Sequence, residues 1–269
     1  MQTGSVHSEG AELVFDTQGT GGPLLFIPGG NGEAASYRPI ADQLAGRFTV
    51  ITYDRRGFSR SSGDVTADLN MAQQARDVVA VMRAAGYERS LVFGSSAGAN
   101  IGLKLAADHP NQVAALLAHE PPVLRLLPDA AAQVAFTAEV HRVFLAQGPQ
   151  PAMKLFMSQM VGFSAGHPVP NAQQRQNSSF FLGKELLNIA DFVPDLAAIR
   201  VARVEVTMLR GALSGEAFYA RTVPIVAEQL GCPVVTVPGN HLGYLLESEA
   251  FAQMLRGVLA SYPFTNLVA

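Results

Sequence analysis

Apolar and polar positions fall into alternating blocks along this chain, and the blocks have two different periods. Short, almost wholly apolar runs occur at Ala11–Asp16, Leu24–Ile27, Thr49–Tyr53, Ser90–Phe93, Ala114–Ala118, Val204–Leu209 and Pro233–Val237. Most lack polar alternation, as parallel strands covered on both faces do. The opening from Thr3 to Gln18 reads as a hairpin turning near Glu9-Gly10. Between the runs the spacing changes to that of helices. Met71, Ala75, Val78, Val79 and Met82 share one helical face, as do Phe251, Leu255, Val258 and Leu259. Alternating β and α elements predict a mainly parallel sheet with helices on both faces. Residues 123–200 break the rhythm. They are helical in pattern, rich in Phe, Met, Ala and Gln, and contain no convincing strand. They are expected to form a helical cap inserted in a core made of residues 1–122 and 201–269. Within the cap, the polar stretch Gln173–Ser179 reads as a loop.

Composition narrows the function without naming it. The 269 residues are 48% hydrophobic and 15% charged, with a net charge of −3, so a sizeable core is available and no basic patch argues for nucleic acid. The single cysteine, Cys232, excludes an internal disulfide framework, and no Cys/His set has metal-ligand spacing. The first ten residues are polar and no run approaches a membrane span, so the expectation is a soluble, cytoplasmic protein acting without a membrane or a cofactor. Its oligomeric state, monomer or homodimer, is open at this level.

The chemistry concentrates at three places. Gly94-Ser95-Ser96-Ala97-Gly98 lies between an expected strand and an expected helix. Glycine two residues to either side suits a serine held on a sharp, strained turn. Serine is a weak nucleophile and needs a base within reach. His241 follows the last strand, in Val237-Pro238-Gly239-Asn240-His241, at the sheet edge where open α/β folds build their sites. His7, His109, His141 and His167 fit less well, and His119 is expected to point to the other side of its strand. Two N–H donors for an oxyanion are expected at Ala97, directly after the serine, and at Gly30 in the turn Pro28-Gly29-Gly30-Asn31-Gly32. A carboxylate should orient the histidine. Two positions compete for that role: Glu120, at a strand end in His119-Glu120-Pro121-Pro122, and Glu216, just before an expected helix.

Gly-x-Ser-x-Gly, the Pro-Gly-Gly turn, Asp54-Arg55-Arg56-Gly57-Phe58-Ser59 and the terminal Gly-Asn-His together resemble the α/β-hydrolase superfamily over nearly the whole chain. That resemblance implies an eight-stranded, mostly parallel sheet with helices on both faces and an inserted cap. In that fold the acid commonly follows the strand after the insertion, in a Gly-x-x-Asp pattern. Here Gly211-Ala212-Leu213-Ser214 has a serine there. A displaced acid is shared by zearalenone hydrolase-like lactonases, to which Pro28–Glu33, His119–Pro122 and Pro238–His241 are similar. The likeness implies Ser96, Glu120 and His241 as a triad with Gly30 and Ala97 as oxyanion donors, and gives the Asp54–Ser59 segment a bracing role. It departs in the cap, where those enzymes rely on a tryptophan and this chain has none.

The cap supplies Phe136, Phe144, Met153, Phe156, Met157, Met160, Phe163, Phe180, Phe181 and Phe192, and few basic residues. Some of these form the cap's own core. The remainder are expected to roof the site, which suits a neutral, hydrophobic small-molecule ester or lactone. A rival chemistry uses the same scaffold. Cofactor-free oxygenases and C–C hydrolases or lyases employ the His–acid pair as a base. A third reading, a binding protein that merely captures a ligand, is opposed by the intact serine and histidine.

Overall fold

The computed structural model describes residues 1–163 and 171–262 of the chain. Eight strands form one sheet: β1 (Gln2–Ser8), β2 (Ala11–Gln18), β3 (Gly22–Ile27), β4 (Phe48–Tyr53), β5 (Ser90–Ser95), β6 (Val113–His119), β7 (Val206–Gly211) and β8 (Val234–Val237). Their order across the sheet is β1-β2-β4-β3-β5-β6-β7-β8. Only the β1–β2 and β2–β4 pairs are antiparallel. The opening hairpin turns where the sequence placed it, with Glu9 and Gly10 both at positive φ. The helices are α1 (Arg38–Leu44), α2 (Met71–Ala84), α3 (Ala97–Asp108), α4 (Ala130–Gln147), α5 (Pro149–Met157), α6 (Ala172–Phe180), α7 (Leu186–Asp191), α8 (Leu196–Ala202), α9 (Phe218–Leu230), α10 (Gly243–Leu246) and α11 (Ser248–Leu259). None of them is long and apolar enough to cross a membrane.

Period-two alternation within wholly buried strands assigns side chains to two cores. Leu25, Ile27, Ile51, Val92, Leu116 and Met208 meet α2, α3, α8 and α9 on one face. Leu24, Phe26, Val50, Leu91, Phe93 and Leu117 meet α1 and α11 on the other. This is why the runs are apolar throughout: neither face of these strands reaches water. α8 begins within 123–200, yet its Leu196 and Ile199 belong to the first of these cores. The stretch read from sequence as the loop Gln173–Ser179 is helical instead, as α6. Asn171 accepts from the Gln174 N–H and the Gln174 side chain returns the bond, a capping box that starts a helix of low hydrophobicity. Between α6 and α7 the chain makes one π turn, Phe181–Glu185.

All the parallel strands end on one edge of the sheet. The loops after β3, β4, β5, β6, β7 and β8 therefore converge there, and these loops carry every residue singled out for chemistry. The cap helices between β6 and β7 cover this edge.

Candidate active site

β5 runs directly into Ser96, which stands at φ +58°, ψ −128° before α3 begins at Ala97. A non-glycine residue in that region stores roughly 1–3 kcal/mol of strain. The flanking glycines make the turn possible. A Cβ on Gly98 would lie 2.1 Å from the Ile27 carbonyl oxygen, and one on Gly94 would lie 2.3 Å from that of Gly98. The turn is pinned from the neighbouring strand by the Ser96 N–H, which donates to the His119 carbonyl (2.9 Å).

Glu120 lies one residue beyond β6, at φ +47° and fully buried. Its Oε2 accepts from His241 Nδ1 at 2.7 Å, and its Oε1 accepts from the Gly211 N–H at 2.8 Å. Burial alone would push this carboxyl upward. The neighbouring His119, the bond from His241 and the Ser214 hydroxyl outweigh it, and the pKa sits at about 2. The carboxylate thus fixes His241 as the Nδ1–H tautomer and leaves Nε2 to accept a proton. Tyr219, in the first turn of α9, packs on the imidazole with ring centroids 4.0 Å apart. Glu216 is elsewhere: its side chain is 83% exposed and pairs with Arg210 at 3.1 Å.

His119 keeps the alternation of β6 and packs on the α1/α11 face against Phe93, Tyr244 and Phe251, as expected, yet from there its ring still reaches His241. The left-handed backbone at Glu120 ends the alternation, so successive residues both approach His241. The His119 ring stacks at 5.8 Å on His241, and its Nε2 lies 3.7 Å from Glu120 Oε2. Ser95 Oγ occupies its Nδ1 at 2.9 Å. Burial depresses this imidazole to about 4, so it is neutral near pH 7. Of the remaining histidines, His141 bonds the Leu182 carbonyl oxygen within the cap, His7 lies on β1, His109 ends α3, and His167 lies outside the described residues.

The loop after β3 is braced from behind. Arg55 is fully buried and donates to the Gly29 carbonyl (2.8 Å), and both its terminal nitrogens bond the buried Glu185 carboxylate of the cap at 2.7 Å. Asp54 Oδ1 accepts from the Ala34 N–H at 2.7 Å. The Arg55 N–H donates to the Gly32 carbonyl at 2.7 Å. The loop's shape is therefore set before any ligand arrives.

Ser96, Ala97, Gly30 and His241 all line one cavity of about 210 Å³. Its roof is Met153, Phe156, Met157, Met160, Phe163 and Phe181. Phe136 and Phe144 pack within the cap instead, Phe180 packs edge-on against Phe58 of the loop after β4, and Phe192 packs against the sheet-face core. Among the described residues no group of three or more His, Cys, Asp or Glu is arranged to hold a metal. Sequence reading missed Tyr219, the Arg55–Glu185 clamp and the nearness of His119. Only the last left a trace, as the neighbour of a candidate acid.

Comparison with known proteins agrees with this architecture. The model of the alpha/beta hydrolase fold family matches residues 22–178. The uncharacterized hydrolase YraK of Bacillus subtilis (strain 168) is 30% identical over 264 residues, spanning 96% of each chain. RutD of Azorhizobium caulinodans, to which carbamate hydrolysis is ascribed, is 28% identical over 93% of this chain and 96% of its own. Among solved structures, a thermophilic esterase from Thermogutta terrifontis superposes with a TM-score of 0.77 over 97% of this chain and 99% of its own, at 19% identity. At that identity the likeness is one of fold.

Proposed function

The chain belongs to the α/β-hydrolase fold family and is a hydrolase of that family; from that premise we propose that it is a serine hydrolase cleaving a carboxylic ester or lactone of a neutral, hydrophobic small molecule. One observation carries the reading: a strained serine and a histidine share an apolar cavity, and the histidine is held at 2.7 Å by a buried carboxylate.

His241 Nε2 takes the proton of Ser96 Oγ as that oxygen attacks the carbonyl carbon. The charge on the carbonyl oxygen falls to the N–H groups of Gly30, in the loop after β3, and of Ala97, at the start of α3, whose dipole adds to them. Glu120 stays ionised and stabilises the imidazolium without taking its proton. His241 then returns the proton to the leaving alkoxide, giving an acyl-enzyme. Water, deprotonated by the same imidazole, releases the acid and restores Ser96. Neutral, apolar substrates fit because Glu33 is the only Asp, Glu, Lys or Arg side chain lining the cavity among the described residues. A carbamate would meet the same machinery.

A fluorophosphonate probe tests the proposal. Wild type is expected to be labelled at Ser96 and to turn over aryl esters or macrolactones. Ser96→Ala is expected to lose both labelling and at least about a thousandfold in kcat/KM. Folded wild type that takes no label would sink the reading. Turnover of a non-ester substrate that persists in Ser96→Ala would favour base-driven oxygenation or C–C cleavage instead.

A further inference from the structure

Glu33 is unexplained by this chemistry. It follows the loop that carries Gly30, is only 8% exposed, and lines the reaction cavity. Among the described residues its hydrogen bonds come from neutral donors alone. Ser36 Oγ donates to Oε1 at 3.3 Å, Asn177 Nδ2 to Oε2 at 3.5 Å, and the Gln174 amide also contributes. No ion pair to it is formed among the described residues. Arg60, on the far side of the loop, is committed to Asp16 and Asp54. A carboxylate has about four acceptor sites, and two of these three bonds are long. A buried acid so weakly compensated is costly unless another donor arrives. Burial, aided by the charge of Asp54, accordingly raises its pKa.

The rest of the cavity is built differently. Its roof is methionine and phenylalanine, and its polar side chains away from Ser96 and His241 include Asn31, Ser36 and Ser178 near Glu33. The cavity thus has an apolar body and one polar pole. That pole lies three positions along the chain from Gly30, at most ~10 Å of backbone. We propose that Glu33 is a polar subsite for an uncharged hydroxyl on the substrate, so that the preferred ester or lactone is hydrophobic and carries an alcohol or phenol a few bonds from its carbonyl. This rests on the hydrolase reading. A neutral donor is favoured over an ammonium for two reasons. A hydroxyl bonds either protonation state of the carboxyl, and it does not carry its own charge into an apolar cavity.

The test uses three size-matched 4-nitrophenyl esters of 3-phenylpropanoic acid, bearing ethyl, hydroxymethyl or aminomethyl on the ring, in para and in meta series. Wild type is expected to prefer hydroxymethyl over ethyl by about tenfold in kcat/KM in one series. Glu33→Leu is expected to reverse that order, and Glu33→Gln to keep part of it. A ratio that is the same in all three proteins would overturn the subsite, as would an equal loss on every ester, which would make Glu33 a brace for the cap. Preference for aminomethyl, abolished in Glu33→Leu, would overturn the neutral-donor assignment. Fluorophosphonate labelling of Ser96 in each variant reports on the hydrolase reading independently of these ratios.

Discussion

At the scale of single residues, the contact between Glu120 and His241 is the sharpest result. Two carboxylates competed in the sequence, and only Glu120 touches His241. Glu120→Gln is expected to lower kcat/KM by about a thousandfold, because an amide cannot balance an imidazolium. Glu216→Gln is expected to stay within about twofold of wild type. Steady-state kinetics on the two variants decide, and the opposite ranking would reassign the acid. Ser214 extends the point. It holds the place where the family commonly has its acid, is fully buried, and lies beside Glu120. The two positions therefore lie side by side, and one of them is bonded to His241. Adding Ser214→Asp to an inactive Glu120→Ala protein is expected to restore at least about tenfold in kcat/KM; no recovery in a folded double variant would show that the second position cannot reach.

Between elements, two contacts hold the site together. Gly98 lets α3 sit directly on the end of β3, where a methyl group would strike a backbone carbonyl that cannot move away. The Arg55–Glu185 pair ties the loop after β4 to the π turn of the cap, with side chains 0% and 1% exposed. Removing one partner strands the other as a buried charge, at a cost of about 3–5 kcal/mol. Glu185→Leu is expected to lose stability on that scale in denaturant unfolding. The double variant Arg55→Met/Glu185→Leu is expected to recover much of it while remaining slower, because the Gly29 carbonyl has lost its donor. Equal loss in single and double variants would show that packing, not charge, is at stake.

For the whole molecule, buried titratable groups set the response to acid. His119 has a value of about 4 in the fold against 6.5 unfolded. Between those values the unfolded chain binds the extra proton, so stability is full above pH 6.5 and falls as pH drops through 4, by about 3 kcal/mol in all. Glu120, held at about 2 against 4.5, adds a second loss that begins below pH 4.5. His119→Gln is expected to flatten the dependence of unfolding free energy on pH between 6.5 and 4 and, because His119 also helps to hold Glu120 down, to shrink the lower limb as well. An unchanged slope in that window would remove His119 from the account.

How much of this was legible depends on the range of the interaction. Strand β3, the turn at Ser96 and the Pro-Gly-Gly loop are local, and their residues announce them: continuous apolarity for a doubly covered strand, paired glycines for a strained serine. The capping box of α6 was also local, but its polar composition masked it as a loop. Tyr219 against His241, and Arg55 against Glu185, are separated by 22 and 130 positions, and nothing near either residue marks its partner. By itself the chain determined its alternating β and α elements, its sheet, its serine and its histidine, since those follow from period and from backbone sterics. Tertiary structure decided which carboxylate meets the imidazole and which apolar residues face the cavity. Both are questions of which groups share one water-poor space, and only the closed sheet edge beneath its cap creates that space.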